Sequence, residues 1–249
     1  MNAHHPDRPL ILSMSLFHPP LAYSGVKVVN SFDELVTTRF GGGVNALCWQ
    51  RTLAGNFNEV VERLPGGGDI VTVDETLLKR LILSSAGNAA VNTLIEDQER
   101  LRALGLSPVL DCIHRYARDE AGAVVPTDVY SFHADSATVE TDTYLCSYTG
   151  AASEGLRNEE AQRCIDLPET RAALLSLFGG DDDSEFVDFL RENCYDLHYI
   201  STSDARPFSF GFGNLWRIAV DYPGCPVPPC VHRAPDTALS RTPRLLLIS

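Results

Sequence analysis

The half of the chain that follows Pro108 is dominated by short β-type segments separated by turn residues. Val, Ile, Leu, Tyr and Thr are frequent in them, and several alternate between apolar and polar positions. The five clearest segments are residues 109–116, 129–135, 141–148, 215–220 and 244–248. The C-terminal half is therefore predicted to be mostly β-sheet.

The half before Pro108 is predicted to be mainly helical. Ser31 before an acidic turn indicates a helix start, residues 44–49 form a strand, and residues 56–64 form a short helix. A run of three glycines at 66–68 breaks the chain. The longest helix is expected over residues 76–104, with an interruption near Gly87, and it is interpreted as a structural helix that covers a sheet.

An acidic segment at residues 158–193 interrupts the β-rich half. Helical patterns at residues 172–175 and 186–190 flank two glycines and three adjacent aspartates, Asp181 to Asp183. Their spacing is not that of a calcium loop, in which ligands alternate and a distant Glu follows. We expect a solvated turn within a helical insert, and the insert is a candidate lid over a site.

The charge balance restricts the partners of the chain. Across 249 residues, 20 Lys and Arg stand against 33 Asp and Glu, a formal net charge of -13. A field of this sign repels the phosphate backbone, so nucleic acid is not an expected partner. A small molecule, an amino acid or a carrier-bound metabolite is expected instead.

The cysteines and the N-terminal region indicate the compartment. Seven cysteines, an odd number without a Cys-x-x-Cys pair, do not form a secreted disulfide framework. The apolar run at residues 10–12 is too short for a signal peptide or a membrane span. We therefore expect a cytoplasmic protein without membrane contact, with reduced thiols and an irregular arm at residues 1–25.

A His-x-Asp pair lies on the predicted strand at 129–135. Because side chains alternate along a strand, His133 and Asp135 share one face. A second imidazole follows 99 residues after His133, where His232 comes after a strand and a turn. Two histidines and one carboxylate can bind one face of an octahedral iron(II) and leave its other positions open.

This pattern resembles the iron(II)/2-oxoglutarate-dependent oxygenases, which carry His-x-Asp on an early strand and a distal His on a late strand, with a basic residue shortly after. The resemblance implies that His133, Asp135 and His232 are the metal ligands and the catalytic centre. It also implies that Arg244, 12 residues after His232, binds the far carboxylate of the cosubstrate 2-oxoglutarate. Arg241 is the alternative, and the Tyr144 hydroxyl is a further candidate for cosubstrate or substrate binding.

More narrowly, the chain is similar to a bacterial family known only as a domain of unknown function. The similarity covers about residues 44–249, and four blocks carry it: Cys48-Trp49-Gln50-Arg51, Phe132-His133-Ala134-Asp135, Cys146-Ser147-Tyr148-Thr149-Gly150 and Val231-His232-Arg233-Ala234-Pro235. Where that family continues with Gly-Thr-Glu-Trp, this chain has Ala152-Ser153-Glu154-Gly155. The family name implies no activity.

The resemblance implies a mainly β, α+β chain built on a distorted double-stranded β-helix of jelly-roll or cupin type. One domain is expected over residues 26–249, with a helical part at 26–106 and a β-helix core at 107–249 that carries the insert. The implied activity is that of a dioxygenase that uses dioxygen to hydroxylate, desaturate or cyclise a small molecule. Hydroxylation is the default, and the retained Asp135 argues against halogenation.

Two alternatives stay open. A cupin-like metal enzyme would use the same ligands without 2-oxoglutarate, so Arg244 would not matter to it. A non-catalytic zinc-binding or metal-handling protein would instead use Cys225, Cys230 and His232, with Cys112 or His114 as a fourth ligand. Arg233 and Arg206 are candidates to hold a substrate carboxylate.

Overall fold

The structure is a computed structural model that describes residues 25–237 and 242–249. Except for Gly25, the arm predicted at residues 1–25 lies outside the described residues, and so does Arg241. Within the described ranges, no helix has both the length and the apolar character needed to cross a membrane.

Helices and strands follow one another in a mixed order. The α-helices of the described part are α1 (Phe32–Thr37), α2 (Phe57–Arg63), α3 (Glu75–Arg80), α4 (Ser85–Ala103), α5 (Pro168–Phe178) and α6 (Ser184–Glu192). The strands are β1 (Val26–Val29), β2 (Ala46–Trp49), β3 (Ile70–Thr72), β4 (Val109–Ile113), β5 (Phe132–His133), β6 (Asp142–Thr149), β7 (Glu154–Leu156), β8 (Ala161–Arg163), β9 (His198–Ser201), β10 (Phe208–Ser209), β11 (Leu215–Ala219), β12 (Val231–Arg233) and β13 (Arg244–Ile248).

The strands form two sheets. The first has seven strands in the order β1-β2-β11-β6-β13-β4-β3, and the second has six in the order β10-β7-β12-β5-β9-β8. Only β1 and β2 pair in parallel, joined through α1, and the other pairs are antiparallel. Neighbours such as β6 and β13 are far apart in sequence, so both sheets depend on long-range pairing.

Apolar cores lie on both faces of the first sheet. Along β6 the side chains alternate, so Tyr144 and Tyr148 pack with the N-terminal helices, whereas Leu145 belongs to the core that includes Phe208 and Phe210 of the second sheet. Trp216 of β11 is fully buried in that second core. The first sheet therefore lies between a helical layer and the second sheet.

The predicted long helix is divided into α3 and α4, and the break precedes the predicted position near Gly87. Ser84 begins α4, because its side chain accepts from the Gly87 amide at 3.1 Å, and its own amide donates to Glu59 at 2.7 Å. A Cβ on Gly87 would lie 2.7 Å from Glu59 Oε2. This glycine therefore allows α2 to approach α4 rather than interrupting the helix.

The acidic insert contains the two predicted helices as α5 and α6, together with the unpredicted strand β8. Its helices enclose a small core of their own around Leu174 and Phe186. Asp183 begins α6 by accepting from two backbone amides, and Asp182 pairs with Arg171. The predicted turn is confirmed, and two of its three aspartates have partners from the protein.

The prediction of a mainly β chain with helices is confirmed at the level of an α+β fold with two largely antiparallel sheets. The finer expectation, a distorted double-stranded β-helix, stays a prediction. Several strands were not predicted, namely β1, β3, β7, β8, β9, β10 and β12, and β5 is only two residues long. Strands of two to four residues show too little alternation to be recognised locally.

Candidate metal centre

Three predicted site residues come together at the second sheet. His133 on β5 and His232 on β12 are directly opposite in antiparallel register, so both imidazoles leave the same face, and their ring centroids are 4.6 Å apart. Asp135 follows two residues after His133. One ligand atom from each of the three residues lies within 4.8 Å of the other two.

This cluster lies on the inner face of the second sheet. The His232 ring is 6.4 Å from that of Phe210, which belongs to the core between the sheets. The neighbouring residues Phe132 and Val231 point the other way and form a separate apolar cluster. The alternation of β5 and β12 thus separates the polar centre from the outer apolar cluster.

A backbone carbonyl fixes the tautomer of each histidine. Nδ1 of His133 donates to the Ser131 carbonyl at 2.8 Å, and Nδ1 of His232 donates to the Cys230 carbonyl at 3.2 Å. Since a carbonyl only accepts, the proton of each neutral ring is on Nδ1 and the lone pair is on Nε2. Both Nε2 atoms face Asp135 Oδ1, at 4.0 Å from His133 and 3.8 Å from His232.

Asp135 is oriented through its second oxygen. Thr143 Oγ1 donates to Asp135 Oδ2 at 2.6 Å, which leaves Oδ1 toward the histidines. Burial opposes ionisation, but His232, the Thr143 hydrogen bond and His133 together lower the pKa of the Asp135 carboxyl. The carboxylate is therefore ionised at neutral pH.

Burial also favours the neutral form of His133. Desolvation and the neighbouring His232 lower the pKa of His133 to about 4. The two imidazole Nε2 atoms and one carboxylate oxygen are a donor set suited to a divalent transition metal, and hydrogen bonds to the outer atoms of such ligands are typical of metal sites. The residues present therefore fit a bound iron(II).

Arg244 lies between the sheets with little access to solvent, since only 2% of its surface is exposed. Its Nη1 donates to the Tyr116 hydroxyl at 2.7 Å, and its Nη2 donates to Ser153 at 2.5 Å and Ser147 at 3.3 Å. Its Nε is buried without a partner, and no carboxylate within the described ranges forms an ion pair with it. Burial lowers the pKa of Arg244, and Tyr116 partly offsets this effect.

A buried cation without an anion is costly, and a bound carboxylate would neutralise it. Gly150 contributes to the position of Arg244, because a Cβ on residue 150 would lie 2.7 Å from Arg244 Cα. The φ of Gly150, +78°, also favours glycine. The chain thus places β13 close to the end of β6.

Tyr144, a further predicted cosubstrate residue, is not brought to this space. Tyr144 is buried on the opposite face of β6, in the core with the helices, where burial raises the pKa of its hydroxyl. The structure does not bring Tyr144 beside His133, because strand alternation turns its side chain toward the helices, and its role in cosubstrate binding stays a prediction. Arg241, the alternative to Arg244, lies outside the described residues.

Several residues of the centre were not identified from the sequence. Thr143 and Ser147 are polar residues on the inner face of β6, on either side of the apolar Leu145. Polar residues on a face that is otherwise apolar are a signal in the sequence that could have identified them. Tyr116 follows β4 and Ser153 precedes β7, so periodicity gave no indication for either one. His198 on β9 is directly opposite His133, which only the strand pairing reveals.

The sulfur ligands proposed for zinc are not assembled. Cys225 Sγ donates to the Val227 carbonyl at 3.2 Å, and Cys230 is buried. In the part of the chain that the structure describes, the one group that could hold a metal contains no cysteine. The zinc alternative has therefore lost its geometric basis.

Arg233 and Arg206 are not directed to the centre. Arg233 pairs with Glu154 at 2.6 Å and lies over the Phe132 ring, on the outer side of the second sheet. Arg206 is exposed, and its backbone amide binds Glu160. Neither residue is available beside His133 for a substrate carboxylate.

A second buried polar cluster lies on the helical side of the first sheet. Arg51 forms a two-point ion pair with Asp97 of α4, at 2.6 and 2.8 Å, and Tyr148 donates to the same carboxylate at 2.7 Å. Arg51 also lies over the Trp49 ring, with its guanidinium carbon 4.6 Å from the ring centroid. Arg51 and Tyr148, which belong to two of the sequence blocks noted above, thus connect α4 to the first sheet.

Comparisons with known proteins assign no family to the chain. No family model matches it, and no curated protein matches it. Among solved structures it is similar to the Kdo hydroxylase KdoO, described as a non-heme Fe(II) alphaketoglutarate dependent dioxygenase in complex with succinate and Fe(III). The identity is 13%, the coverage is 90% of this chain and 87% of that chain, and the TM-score is 0.39. At that TM-score, function has to follow from the side chains described above.

Proposed function

We propose that this chain is a non-haem iron(II)/2-oxoglutarate-dependent oxygenase that hydroxylates a small molecule, an amino acid or a carrier-bound metabolite. The observation that carries the proposal is the convergence of His133, His232 and Asp135, each of which offers one ligand atom within 4.8 Å of the other two. Asp135 Oδ1 lies 4.0 Å from His133 Nε2 and 3.8 Å from His232 Nε2. Each of the three side chains is held by a hydrogen bond at its other polar atom, so that the converging atoms are free. The narrower similarity to a domain of unknown function stays a prediction.

In this proposal His133, Asp135 and His232 bind iron(II) on one face, so that its remaining positions are open to cosubstrate and dioxygen. Iron(II) with 2-oxoglutarate supplies the activation of dioxygen and the oxidation of a substrate C–H bond. The carbonyls of Ser131 and Cys230 keep both imidazoles in the Nδ1–H tautomer. The ligands are thereby prepared before the metal binds.

Arg244 is proposed to bind the far carboxylate of 2-oxoglutarate. A charged guanidinium with an unpartnered Nε, surrounded by the hydroxyls of Tyr116, Ser147 and Ser153, matches a carboxylate that needs several donors. This arrangement favours 2-oxoglutarate use over the cupin-like alternative, in which the buried cation would have no partner.

Anaerobic titration of the purified protein with iron(II) and then 2-oxoglutarate tests the proposal. We expect a weak visible charge-transfer band, which reports a keto acid chelated to iron(II). The band should disappear in His133→Ala and Asp135→Ala, whereas the same substitution at the exposed His114 should leave it. Arg244→Met should bind iron(II) but require much more 2-oxoglutarate to develop the band.

Two results would contradict the proposal. Iron(II) uptake without a band at saturating 2-oxoglutarate would exclude the cosubstrate and favour the cupin-like enzyme. Tight zinc uptake that depends on Cys225 and Cys230, with no iron uptake, would indicate a metal-binding protein.

A further inference from the structure

A pocket of about 240 Å³ opens beside the candidate metal centre. His133, Asp135 and Ser136 form one side of it, and Thr127 and Val129 contribute from the preceding loop. The chain that leaves α6 contributes three further residues: Cys194, Leu197 and His198. The segment that directly follows the acidic insert thus contributes to the wall.

His198 is a third imidazole in line with the two candidate ligands. His198 on β9 is directly opposite His133 on β5, and His133 is directly opposite His232 on β12. All three rings therefore leave the same face of the sheet. The His198 and His133 ring centroids are 5.8 Å apart. His198 is nevertheless not one of the three residues whose ligand atoms converge.

The ring nitrogen of His198 that forms no hydrogen bond in the described part of the chain, Nε2, is an acceptor when the ring is neutral. Nδ1 of His198 donates to the Cys194 carbonyl at 2.8 Å, so the neutral ring carries its lone pair on Nε2. Only 6% of the surface of His198 is exposed. Among the described residues, no group forms a hydrogen bond with its Nε2. His198 Nε2 is not one of the fully buried atoms that lack a partner, so it is accessible and can accept from a hydroxyl or N–H donor on a ligand.

The remaining wall does not suit an anion. None of the described residues that line the pocket is Lys or Arg, and Asp135 contributes a negative charge. Val129, Ala134 and Leu197 make much of the surface apolar, with Thr127 and Ser136 as small polar groups. Away from the candidate metal ligands, a carboxylate or phosphate in this pocket would lose its hydration without gaining a cationic side chain.

We propose that this pocket binds an uncharged, hydroxyl-bearing part of the substrate and that His198 Nε2 accepts a hydrogen bond from that hydroxyl. The inference rests on the proposed function, because it treats the pocket beside the metal centre as the substrate's. His198 is then a specificity-determining residue. Substrates that carry a carboxylate or a phosphate hold that group outside this pocket.

Cys194 provides a test that needs neither metal nor a known substrate. Its exposed thiol belongs to the pocket wall, so thiol–disulfide exchange can deliver small probes to His198. The protein is equilibrated separately with bis(2-hydroxyethyl) disulfide, diethyl disulfide and dithiodiglycolate, each with its own thiol. Peptide mass spectrometry then gives the modified fraction of Cys194 relative to that of the half-buried Cys225 in the same molecule.

We expect the hydroxyethyl probe to be retained at Cys194 about fivefold more than the ethyl probe, the ratio that corresponds to one hydrogen bond of about 1 kcal/mol. The carboxymethyl probe should be retained least. His198→Leu should remove the preference for hydroxyethyl, whereas His198→Gln, whose side-chain oxygen also accepts, should keep most of it.

Equal retention of hydroxyethyl and ethyl, a preference that persists in His198→Leu, or highest retention of the carboxymethyl probe would overturn the inference. Loss of cobalt(II) uptake in His198→Leu would also overturn it, since His198 would then be a metal ligand. The outcomes are separable from the iron titration. A band without a probe preference refutes only this inference. A probe preference without a band refutes the proposed function and leaves only the preference of the pocket for a hydroxyl group.

Discussion

Thr143 and Asp135 connect the two sheets at the candidate metal centre. Thr143 lies on β6 of the first sheet, and its hydroxyl donates at 2.6 Å to the carboxylate of Asp135, which follows β5 of the second. The bond occupies Oδ2, so that Oδ1 faces His133 and His232. The orientation of a candidate ligand on one sheet is thus set by a side chain on the other.

Thr143→Val should weaken metal binding by about 10- to 100-fold, the range typical for loss of a hydrogen bond to a ligand. The substitution preserves shape but leaves Asp135 free to rotate and removes one contribution that lowers the pKa of its carboxyl. Calorimetric titration with cobalt(II) measures the effect, and Thr143→Ser, which keeps the hydroxyl, is the control. Equal affinities for the valine and serine variants would refute this role.

Gly150→Ala should weaken 2-oxoglutarate binding by about 10- to 100-fold, because a displacement of about 1 Å at a binding group is enough to do so. The added Cβ would lie 2.7 Å from Arg244 Cα and move the guanidinium. The iron(II) titration described above gives the 2-oxoglutarate dependence directly. Gly179→Ala is the matched control, since its φ of +75° imposes similar strain but nothing lies within 4 Å of its Cβ. If both variants bind 2-oxoglutarate like the wild type, Gly150 does not position Arg244.

Arg51→Met should lower the free energy of unfolding by about 1.5–3 kcal/mol, the range for hydrogen bonds to a charged group, because Asp97 loses its two-point partner. Asp97 keeps its ion pair with Arg100 at 3.0 Å and the hydrogen bond from Tyr148. The Asp97 side chain is fully buried, and the Arg51 side chain is 7% exposed. Urea unfolding measures the loss. The exposed pair of Arg163 and Asp166 provides the comparison, since Arg163→Met should cost at most about 1 kcal/mol. Similar losses for both variants would mean that the buried network does not stabilise the fold.

The metal-free protein should become less stable as the pH falls from about 6.5 toward 4. Burial and His232 lower the pKa of His133 to about 4, so between these values the unfolded chain binds a proton that the folded chain does not. The contribution of His133 is therefore complete above pH 6.5 and decreases as the pH falls. Urea unfolding at several pH values should give a shallower dependence for His133→Gln, with His114→Gln as the control. If the free energy of unfolding of His133→Gln depends on pH as that of the wild type does, the lowered pKa of His133 is not the cause of this dependence.

Local patterns were enough to predict much of the chain. Ser31 was identified as the start of α1, and its side chain does accept from the Glu34 amide at 3.0 Å. The two helices of the insert and the main strands of the first sheet were predicted for the same reason. Caps and side-chain periodicity act over a few residues, so the information is contiguous in the sequence.

The candidate site was predicted in part. The two-residue spacing of His133 and Asp135 follows from strand alternation, but β5 contains only two residues, and its partners β9 and β12 lie about 65 and 99 positions away along the chain. The order of the strands in the second sheet therefore places His198 and His232 on either side of His133. It also decided that Tyr144 faces the helices while Arg244 faces the hydroxyls of Tyr116, Ser147 and Ser153.

Residue types thus indicated two imidazoles and a carboxylate as a possible metal site, and the resemblance to the oxygenases added the separate arginine. The tertiary structure alone decided which atoms are free to bind, because that depends on hydrogen bonds between strands and sheets that are distant in sequence. Thr143 on Asp135, Gly150 against Arg244 and His198 beside His133 are contacts of this kind. Their physical basis is long-range pairing, which leaves no periodic signal in the chain.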